Sequence, residues 1–340
     1  MTTSISTDII QQLKNSKQIA IVPHKNPDGD AIGSSLGLHL ILKKMGIQSR
    51  VVVQDNIPFF LNFLPDISSI IVYENNTADA IDWLQNADMI ISTDYSQLER
   101  CGDLAQYIRN NSCKRIVIDH HPFPEENVAL LFHDVTASST CELIYWFATS
   151  AFPEMKLDEE IATCLYSGLL TDTGSFKFAL RPETFIVASE LLKYKINVEK
   201  ITTAIFDVNT PQRLKLLGYA LNEKMVILSE IHTAYIWLTA EEISACNIRK
   251  GDLEGFVNYT LSVQGIKFGV FFHEKQDGGT KISFRSKGQF PVNEFSSRFF
   301  NGGGHRNAAG GFFPGKCEDA VQNFLENLPS FHSLLIESNS

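Results

Sequence analysis

Carboxylate and imidazole side chains follow several short apolar runs of the sequence. The stretch KRIVIDHH ends a predicted strand on Asp119, His120 and His121, three groups that are costly to desolvate together. Matching groups follow other runs, and the whole set is His24, Asp28, Asp30, Asp94, Asp119, His120, His121 and Asp172. Carboxylates held close together repel one another, so the set is stable only around positive charge. Carboxylates and imidazoles without thiolates suit Mn²⁺ or Mg²⁺, with other first-row ions as alternatives.

The strands of one parallel sheet must bring these residues together. Apolar runs rich in Ile and Val alternate with helical patterns through the first half, which is typical of βαβ units. The runs are QIAIV (18–22), RVVV (50–53), DMIIS (88–92), RIVI (115–118) and ALLF (129–132). In open α/β sheets, ligands bind beyond the carboxyl ends of the strands. His24 follows the first strand, Asp94 the third and Asp119 the fourth, so their side chains are predicted to meet there.

Local signals place the remaining members of the set. Asp28 and Asp30 fall in NPDGD, whose proline and glycine predict a loop rather than a helix. Asp172 is expected near the end of a helix that the following glycine terminates. The set is too large for one ion, whereas two ions ~3.5–4 Å apart, bridged by a carboxylate, can use it, a recurring arrangement for cleaving phosphate esters. A bridging water acidified by both ions would attack phosphorus as hydroxide.

Each residue alone has an ordinary structural interpretation. Asp28 and Asp30 alone would more often form a turn, and His24 alone would be a hydrogen-bonded residue at a strand end. Coincidence explains each residue singly but fails for the set. His133 and Asp134 also follow an apolar run, and we interpret them as a solvated strand end.

The second half of the chain carries basic and glycine-rich segments. Between Lys281 and Lys316 there are six Lys or Arg residues against one acid, Glu294. In NGGGHRNAAGG, glycines let a backbone approach an anion, and the small residues that follow could open a helix. Basic side chains in both segments are suited to gripping a terminal phosphate. The candidate substrate-binding residues are Arg285, Lys287, Gly302, Gly303, Gly304, His305 and Arg306.

The organisation predicted from these patterns is α/β with two domains. An N-terminal domain (1–195) has a mostly parallel, Rossmann-like sheet flanked by helices. A helical linker (196–222) leads to a smaller α/β domain (223–340) in which hairpin patterns predict a mixed sheet. A length of 340 residues also favours two domains over one.

Composition excludes several classes of protein. With 44% hydrophobic residues and 20% charged residues, the chain is globular rather than disordered. No apolar run approaches the ~18 residues that cross a bilayer, and no signal peptide is recognisable, so we expect a cytoplasmic protein without membrane partners. The six cysteines show no CxxC pair and are expected to be reduced. A net charge of −10 argues against a surface that coats long duplex nucleic acid.

The motifs together resemble a known family. HKNPDGDAIGS, Asp94 followed by Arg100, DHHP (119–122), TDTGSF and GGGHRNAAGG are similar to the DHH phosphoesterases with a DHH-associated C-terminal domain. These motifs run from residue 24 to residue 311, so the resemblance covers nearly the whole chain. Within the family, the chain resembles the NrnA-type branch, which combines oligoribonuclease and 3′-phosphoadenosine-5′-phosphate (pAp) phosphatase activities.

The resemblance implies a site with two Mn²⁺ ions, with Mg²⁺ or Co²⁺ as alternatives. By motif, His24, Asp28 and Asp94 would hold one ion. The other ion would be held by Asp30, Asp94, His120 and Asp172, with Asp94 as the bridge. Asp94 is therefore counted with the catalytic residues, together with His121 and Asp119. His121 would lie beside the scissile phosphate and Asp119 would orient an imidazole.

The function expected from the resemblance is hydrolysis of short single-stranded oligonucleotides and pAp. One alternative keeps the same metal centre and changes the substrate to polyphosphate, pyrophosphate or a linear dinucleotide. Stacking of nucleobases on aromatic side chains would discriminate, with Phe284, Phe290, Phe299 and Phe300 as candidates. A second alternative is a protein that senses a nucleotide without turning it over, and the full ligand set argues against it. Homodimers occur in this kind of family.

Overall fold

The structure, a computed structural model, describes residues 5–125, 127–248 and 251–337. Internal contacts divide the chain into two compact units, 1–208 and 209–340. The division into a catalytic domain, a linker and a substrate-binding domain stays a prediction, and its outer ends (1–4 and 338–340) lie outside the described residues. Within the described part of the chain, no helix combines the length and the apolar character needed to cross a membrane.

The first unit is built on a six-stranded parallel sheet in the order β3-β2-β1-β4-β5-β6. Its elements are α1 (Thr7–Asn15), β1 (Ile19–Pro23), α2 (Gly29–Lys44), β2 (Ser49–Val53), β3 (Ile71–Val72), α3 (Thr77–Asn86), β4 (Met89–Thr93), α4 (Leu104–Asn110), β5 (Lys114–Asp119), β6 (Leu130–His133), α5 (Thr140–Ala151), α6 (Glu159–Asp172), α7 (Pro182–Leu192) and α8 (Val198–Phe206). The predicted fold class is confirmed, and β3 is an addition too short to leave a periodic signal. Strands β2 and β3 lie on one side of β1, and β4, β5 and β6 lie on the other. The strand order therefore reverses between β1 and β4, and ligands bind at such a switch point in open α/β sheets.

Burial on both faces explains the apolar strands of this sheet. Every residue of β1 and β4 is buried, because α2, α5 and α6 cover one face while α3 and α4 cover the other. Helix α2 packs closely on α6 through Gly33, where an added Cβ would lie 2.6 Å from the carbonyl oxygen of Cys164. This close packing fixes the start of α2 and the end of α6 relative to each other.

The predicted non-helical loop around Asp28 and Asp30 is wrong in part, since α2 begins at Gly29. Asp28 is the N-cap, and its Oδ1 accepts hydrogen bonds from the backbone amides of Asp30 and Ala31, both at 3.1 Å. Asp30 therefore lies in the first helical turn, where the amides of the helix favour negative charge. The glycine is needed for packing, because a Cβ at Gly29 would clash with Thr171.

The second unit contains a mixed six-stranded sheet in the order β11-β12-β10-β9-β8-β7. Its elements are α9 (Pro211–Glu223), β7 (Met225–Leu228), β8 (Thr233–Leu238), α10 (Ala240–Ala245), α11 (Phe256–Ser262), β9 (Phe268–Glu274), β10 (Thr280–Ser286), α12 (Val292–Phe299), β11 (Gly303–His305), β12 (Ala308–Phe313), α13 (Cys317–Asn327) and α14 (His332–Glu337). Strands β8 and β9 are parallel and the other pairs are antiparallel, which confirms the predicted mixed sheet.

Two expectations for this unit are corrected. The segment after the three glycines forms the hairpin β11–β12 and not a helix, because Gly303 pairs with Gly310 and His305 pairs with Ala308. The four phenylalanines proposed for base stacking instead belong to the hydrophobic core. Phe284, Phe290 and Phe300 are at most 1% exposed, and Phe299 packs against this core. They are therefore removed as stacking candidates.

Candidate active site

A first group of side chains lies at the switch point between β1 and β4. The Nε2 atom of His24 lies 3.5 Å from Asp94 Oδ2 and 3.9 Å from Asp28 Oδ1. The Asp94 backbone is left-handed, with φ 64°, and its amide donates to the carbonyl oxygen of Ile118 at 3.1 Å. Asp tolerates this conformation better than most residues, and here it turns the carboxylate back over the strand ends.

A second group adjoins the first across Asp94. The Nε2 atom of His120 lies 3.6 Å from Asp94 Oδ1, 3.6 Å from Asp172 Oδ2 and 4.0 Å from Asp30 Oδ2. The two oxygens of Asp94 thus face different groups, Oδ2 toward His24 and Oδ1 toward His120. This is the arrangement that a bridging carboxylate requires.

Backbone carbonyls orient both imidazoles. The Nδ1–H group of His24 donates to the carbonyl oxygen of Lys25 at 2.8 Å, and that of His120 donates to the carbonyl oxygen of Ala137 at 3.2 Å. Because a carbonyl can only accept, the proton of the neutral ring lies on Nδ1. In that tautomer, Nε2 presents its lone pair toward the carboxylates, the usual orientation of a metal-binding histidine.

His121 is held differently, through a buried carboxylate. Its Nδ1–H group donates to Asp119 Oδ1 at 2.8 Å, and the Asp119 side chain is fully buried at the end of β5. The same Nδ1 lies 3.6 Å from Asp94 Oδ1. Asp119 therefore fixes the ring of His121 and favours the tautomer whose Nε2 can accept a proton.

Thr140, at the start of α5, was missed by sequence reasoning and contacts both groups. Its backbone amide donates to Asp30 Oδ2 at 2.6 Å, and its Oγ1–H group donates to Asp94 Oδ1 at 2.9 Å. The next amide, of Cys141, donates to Asp30 Oδ1 at 2.9 Å. The signal that could have located this helix terminus is SSTCE, in which Ser139 caps the amide of Glu142.

Charge is strongly coupled within the site. Burial lowers the pKa of His24, but Asp94 and its neighbours outweigh this effect and raise that pKa to about 9. The pKa of His120 is also raised to about 9 against the effect of burial, by the carboxylates around it. Burial raises the pKa of Asp30, and it raises that of Asp172 to about 7, with neighbouring carboxylates adding to both rises. Asp94 differs, since the imidazoles outweigh burial and hold its pKa well below the usual range.

These observations fit divalent metal ions. Three ligand clusters occur among the described residues of the first unit, each with its donor atoms within 4.8 Å of one another: His24 with Asp28 and Asp94, Asp30 with His120 and Asp172, and Asp94 with Asp119 and His121. The crowded carboxylates raise one another's pKa, and bound cations would relieve that repulsion. Oxygen and imidazole donors without thiolates match hard or borderline divalent ions.

The predicted solvated strand end at His133 and Asp134 is wrong. His133 Nε2–H donates to the carbonyl oxygen of His121 at 2.6 Å. Arg181 pairs with Asp134 and with the fully buried Glu142 of α5, donating from Nε to Glu142 Oε1 at 2.7 Å. These residues surround the site without joining it, and they anchor the start of α5 and the loop that carries His121.

The predicted substrate-binding residues lie in the second unit, at the β10–β12–β11 end of its sheet. Arg285, on β10, pairs with Ala308 in register, and its guanidinium donates to the carbonyl oxygen of Phe284 at 2.9 Å. Lys287 donates to the carbonyl oxygen of Leu261, and Arg306 donates to Gln289 at 2.5 Å. The glycine-rich residues share this end of the sheet: Gly302 precedes β11, Gly303, Gly304 and His305 form it, and Arg306 follows it.

Arg285 has no carboxylate partner among the described residues of the second unit. Desolvation lowers the pKa of Arg285, and no described carboxylate opposes the shift. A guanidinium without a carboxylate partner retains its full capacity to bind an anion.

Comparisons with known proteins agree with this geometry. Residues 18–169 match the model of the DHH family N-terminal domain, and residues 234–333 match that of the DHHA1 domain. Proteins named bifunctional oligoribonuclease and PAP phosphatase NrnA are 30% identical in Thermus thermophilus (91% of this chain, 88% of that protein) and 28% identical in Bacillus subtilis (90% and 92%). The crystal structure of an exopolyphosphatase-related protein from Bacteroides fragilis matches with a TM-score of 0.94 at 35% identity, covering 98% of this chain and 99% of that one. The chain belongs to the DHH family of phosphoesterases.

Proposed function

We propose that this chain is a two-metal phosphoesterase that hydrolyses short oligonucleotides and pAp. The observation that supports the metal centre is the division of the Asp94 oxygens between two ligand groups. The observation that supports the substrates is the similarity to relatives named for these two activities over about nine tenths of the chain.

The residues that would hold the ions follow from the two groups. His24 and Asp28 would bind one ion, Asp30, His120 and Asp172 the other, and Asp94 both. Mn²⁺ suits this donor set, with Mg²⁺ or Co²⁺ as alternatives. Two such ions would acidify a water molecule and neutralise charge on a phosphate.

His121 and Asp119 would act together on the phosphate. The hydrogen bond from Nδ1 to Asp119 leaves His121 Nε2 as the atom that holds or transfers a proton. A protonated His121 would stabilise phosphate charge and protonate the leaving oxygen, and Asp119 would stabilise that protonated form. Asp119 acts through His121 and need not touch the substrate.

The second unit would supply the substrate-binding residues. Arg285, Lys287 and Arg306 offer positive charge, and the glycine-rich strand β11 offers backbone amides that side chains do not screen. Gly303 and Gly304 of this edge strand carry no side chain, and unscreened backbone amides suit phosphate oxygens. Binding of a terminal phosphate here would favour short substrates over long ones.

A second candidate function is hydrolysis of polyphosphate on the same metal centre. The related structure from Bacteroides fragilis is described as exopolyphosphatase-related and is 35% identical to this chain. Such a substrate would use the metals and the basic residues and would have no need of an aromatic surface.

One set of activity assays distinguishes the two candidate functions. The purified protein is incubated with Mn²⁺ and pAp, a dinucleotide, a 24-nucleotide strand or polyphosphate, and products are resolved by chromatography. Cleavage of pAp and the dinucleotide, with the long strand and polyphosphate spared, is the expected result. Turnover of polyphosphate with the nucleotides untouched would overturn the proposed substrates.

A further inference from the structure

The two most exposed large apolar side chains of the described residues lie on loops that follow predicted site residues. Phe123 is 81% exposed and comes two residues after His121, whereas Phe178 is 61% exposed and comes six residues after Asp172. Single exposed apolar residues are common on protein surfaces and need no explanation. What requires one is that each of these two lies within six residues of a residue of the same site.

The backbone holds Phe123 in an unfavourable conformation. Its φ is 60°, in the left-handed region, which is unfavourable for residues other than glycine. Its carbonyl oxygen accepts from Gln97 Nε2 at 2.7 Å, and the amide of Glu125 donates to the carbonyl oxygen of Ser96 at 3.0 Å. Ser96 and Gln97 belong to the loop that follows Asp94, so the Phe123 backbone is tied to the site while its ring stands in solvent.

The segment that carries Phe178 is also strained. Between Asp172 and Arg181, three residues other than glycine have left-handed φ values, namely 63° at Ser175, 59° at Phe176 and 51° at Ala179. The Phe178 ring lies against Gly174, where an added Cβ would be 2.5 Å from Cε2. The glycine therefore makes room for an aromatic ring beside the end of α6, where Asp172 is placed. Strained conformations are retained mainly where surrounding structure imposes them, and they concentrate at functional sites.

We propose that Phe123 and Phe178 are stacking surfaces for the nucleobases of the substrate, and that they set the preference for nucleotides over polyphosphate. The proposal rests on the proposed function, whose substrates it makes specific. Every base has a π-face, so stacking on an exposed ring adds affinity for nucleotides without selecting a sequence. A fixed backbone lowers the entropy lost when the ring is covered. Polyphosphate has no group that could cover these rings.

The experiment compares a 5′-phosphorylated dinucleotide with an analogue of the same backbone that lacks both bases. KM and kcat are measured for the wild type, Phe123→Leu and Phe178→Leu. Leucine keeps an apolar side chain and removes the aromatic face. Leu192→Ala, a substitution of a 47% exposed apolar residue at the end of α7, is the control.

The expected result is a KM for the dinucleotide that rises roughly fivefold or more in each Phe variant, with kcat nearly unchanged. KM for the abasic analogue should not move, Leu192→Ala should match the wild type, and Phe123→Trp should retain the wild-type KM. An unchanged dinucleotide KM in both Leu variants would overturn the proposal. An equal loss on both substrates would also overturn it, since it would show a structural role. A wild-type protein that cleaves neither substrate would instead refute the proposed function.

Discussion

The two units place their charged side chains in different environments. In the first, Asp30, Asp94 and Asp119 are at most 2% exposed, packed at the end of a parallel sheet among imidazoles. In the second, the interior is a cluster of phenylalanine rings, while Lys281 of β10 and Lys287, which follows β10, are exposed. Buried like charges cost stability unless they are compensated, whereas surface cations cost little. The first unit thus has the buried negative charge that a cation site requires, and the second exposes cations that we propose bind an anion.

The largest expected effect comes from the residue that joins the two ligand groups. Asp94→Ala removes both oxygens that face His24 and His120, so we expect turnover to fall by roughly a thousandfold or more, because both ions lose a ligand. Steady-state kinetics with pAp and Mn²⁺ measure the loss. Asp82→Ala, on the exposed surface of α3, is the control. A variant at position 94 that keeps a sizeable fraction of its activity would refute the bridging role.

A smaller effect is expected when the carboxylates remain but lose their orientation. Thr140→Val removes the hydroxyl that donates to Asp94 and keeps the amide that donates to Asp30. We expect Mn²⁺ affinity, measured by calorimetry, to weaken by about 10- to 100-fold. Thr140→Ser keeps the hydroxyl and should retain most of the affinity. An equal loss in Thr140→Ser, which keeps the hydroxyl, would contradict the role of this hydrogen bond to Asp94.

The second unit should respond through substrate binding and not through metal binding. Arg285→Ala is expected to raise KM for pAp by about tenfold, since a charge-assisted hydrogen bond to phosphate is lost. Mn²⁺ affinity should stay at the wild-type value. Arg298→Ala, which removes a cation lying over the Phe299 ring on α12, serves as a control for charge alone. A change in Mn²⁺ affinity in Arg285→Ala would contradict the proposal that the second unit binds substrate without contributing to metal binding.

The last expected effect concerns stability in the second unit, away from the predicted site. Burial lowers the pKa of His273 to about 4, and the nearby Lys281 and Lys275 add to the shift. Between pH 6.5 and 4 the unfolded chain binds more protons at this residue than the folded chain does, so stability is lost as pH falls through that range. The loss is about 3 kcal/mol at most.

Hydrogen exchange of the β9 amides at pH 6.5 and pH 4 measures this loss. His273→Phe should reduce the difference in protection between the two pH values, because the titrating group is gone. A wild-type difference that the substitution leaves intact would assign the effect to other groups.

Local signals in the sequence account for much of the fold and for the ligand set. Ile- and Val-rich runs predicted β1, β2, β4 and β5, because strands buried on both faces must be apolar, and the run ALLF predicted the edge strand β6. Strand β3 lies in the run IIV (70–72), which is too short to identify a strand by its pattern. Thr140 could not be found, since its role depends on α5 reaching across from a distant part of the chain to Asp30 and Asp94. The salt bridges of Arg181 are equally non-local, and only the fold brings that residue to Glu142.

The aromatic residues also show that burial and exposure could not be predicted from the sequence. The phenylalanines near the basic segment were plausible stacking surfaces on sequence alone, but packing placed them in the core. Phe123 and Phe178 gave no sequence signal beyond lying near motifs. Their exposure and their left-handed surroundings are properties of the folded chain only.

We propose that the strand ends of the first unit hold two divalent ions that share Asp94. The decisive experiment is equilibrium dialysis of the metal-free protein against saturating Mn²⁺, followed by metal analysis. We expect two ions per chain in the wild type and fewer in Asp94→Ala. A wild-type protein that saturates with one ion, or a variant that still binds two with unchanged affinity, would contradict it.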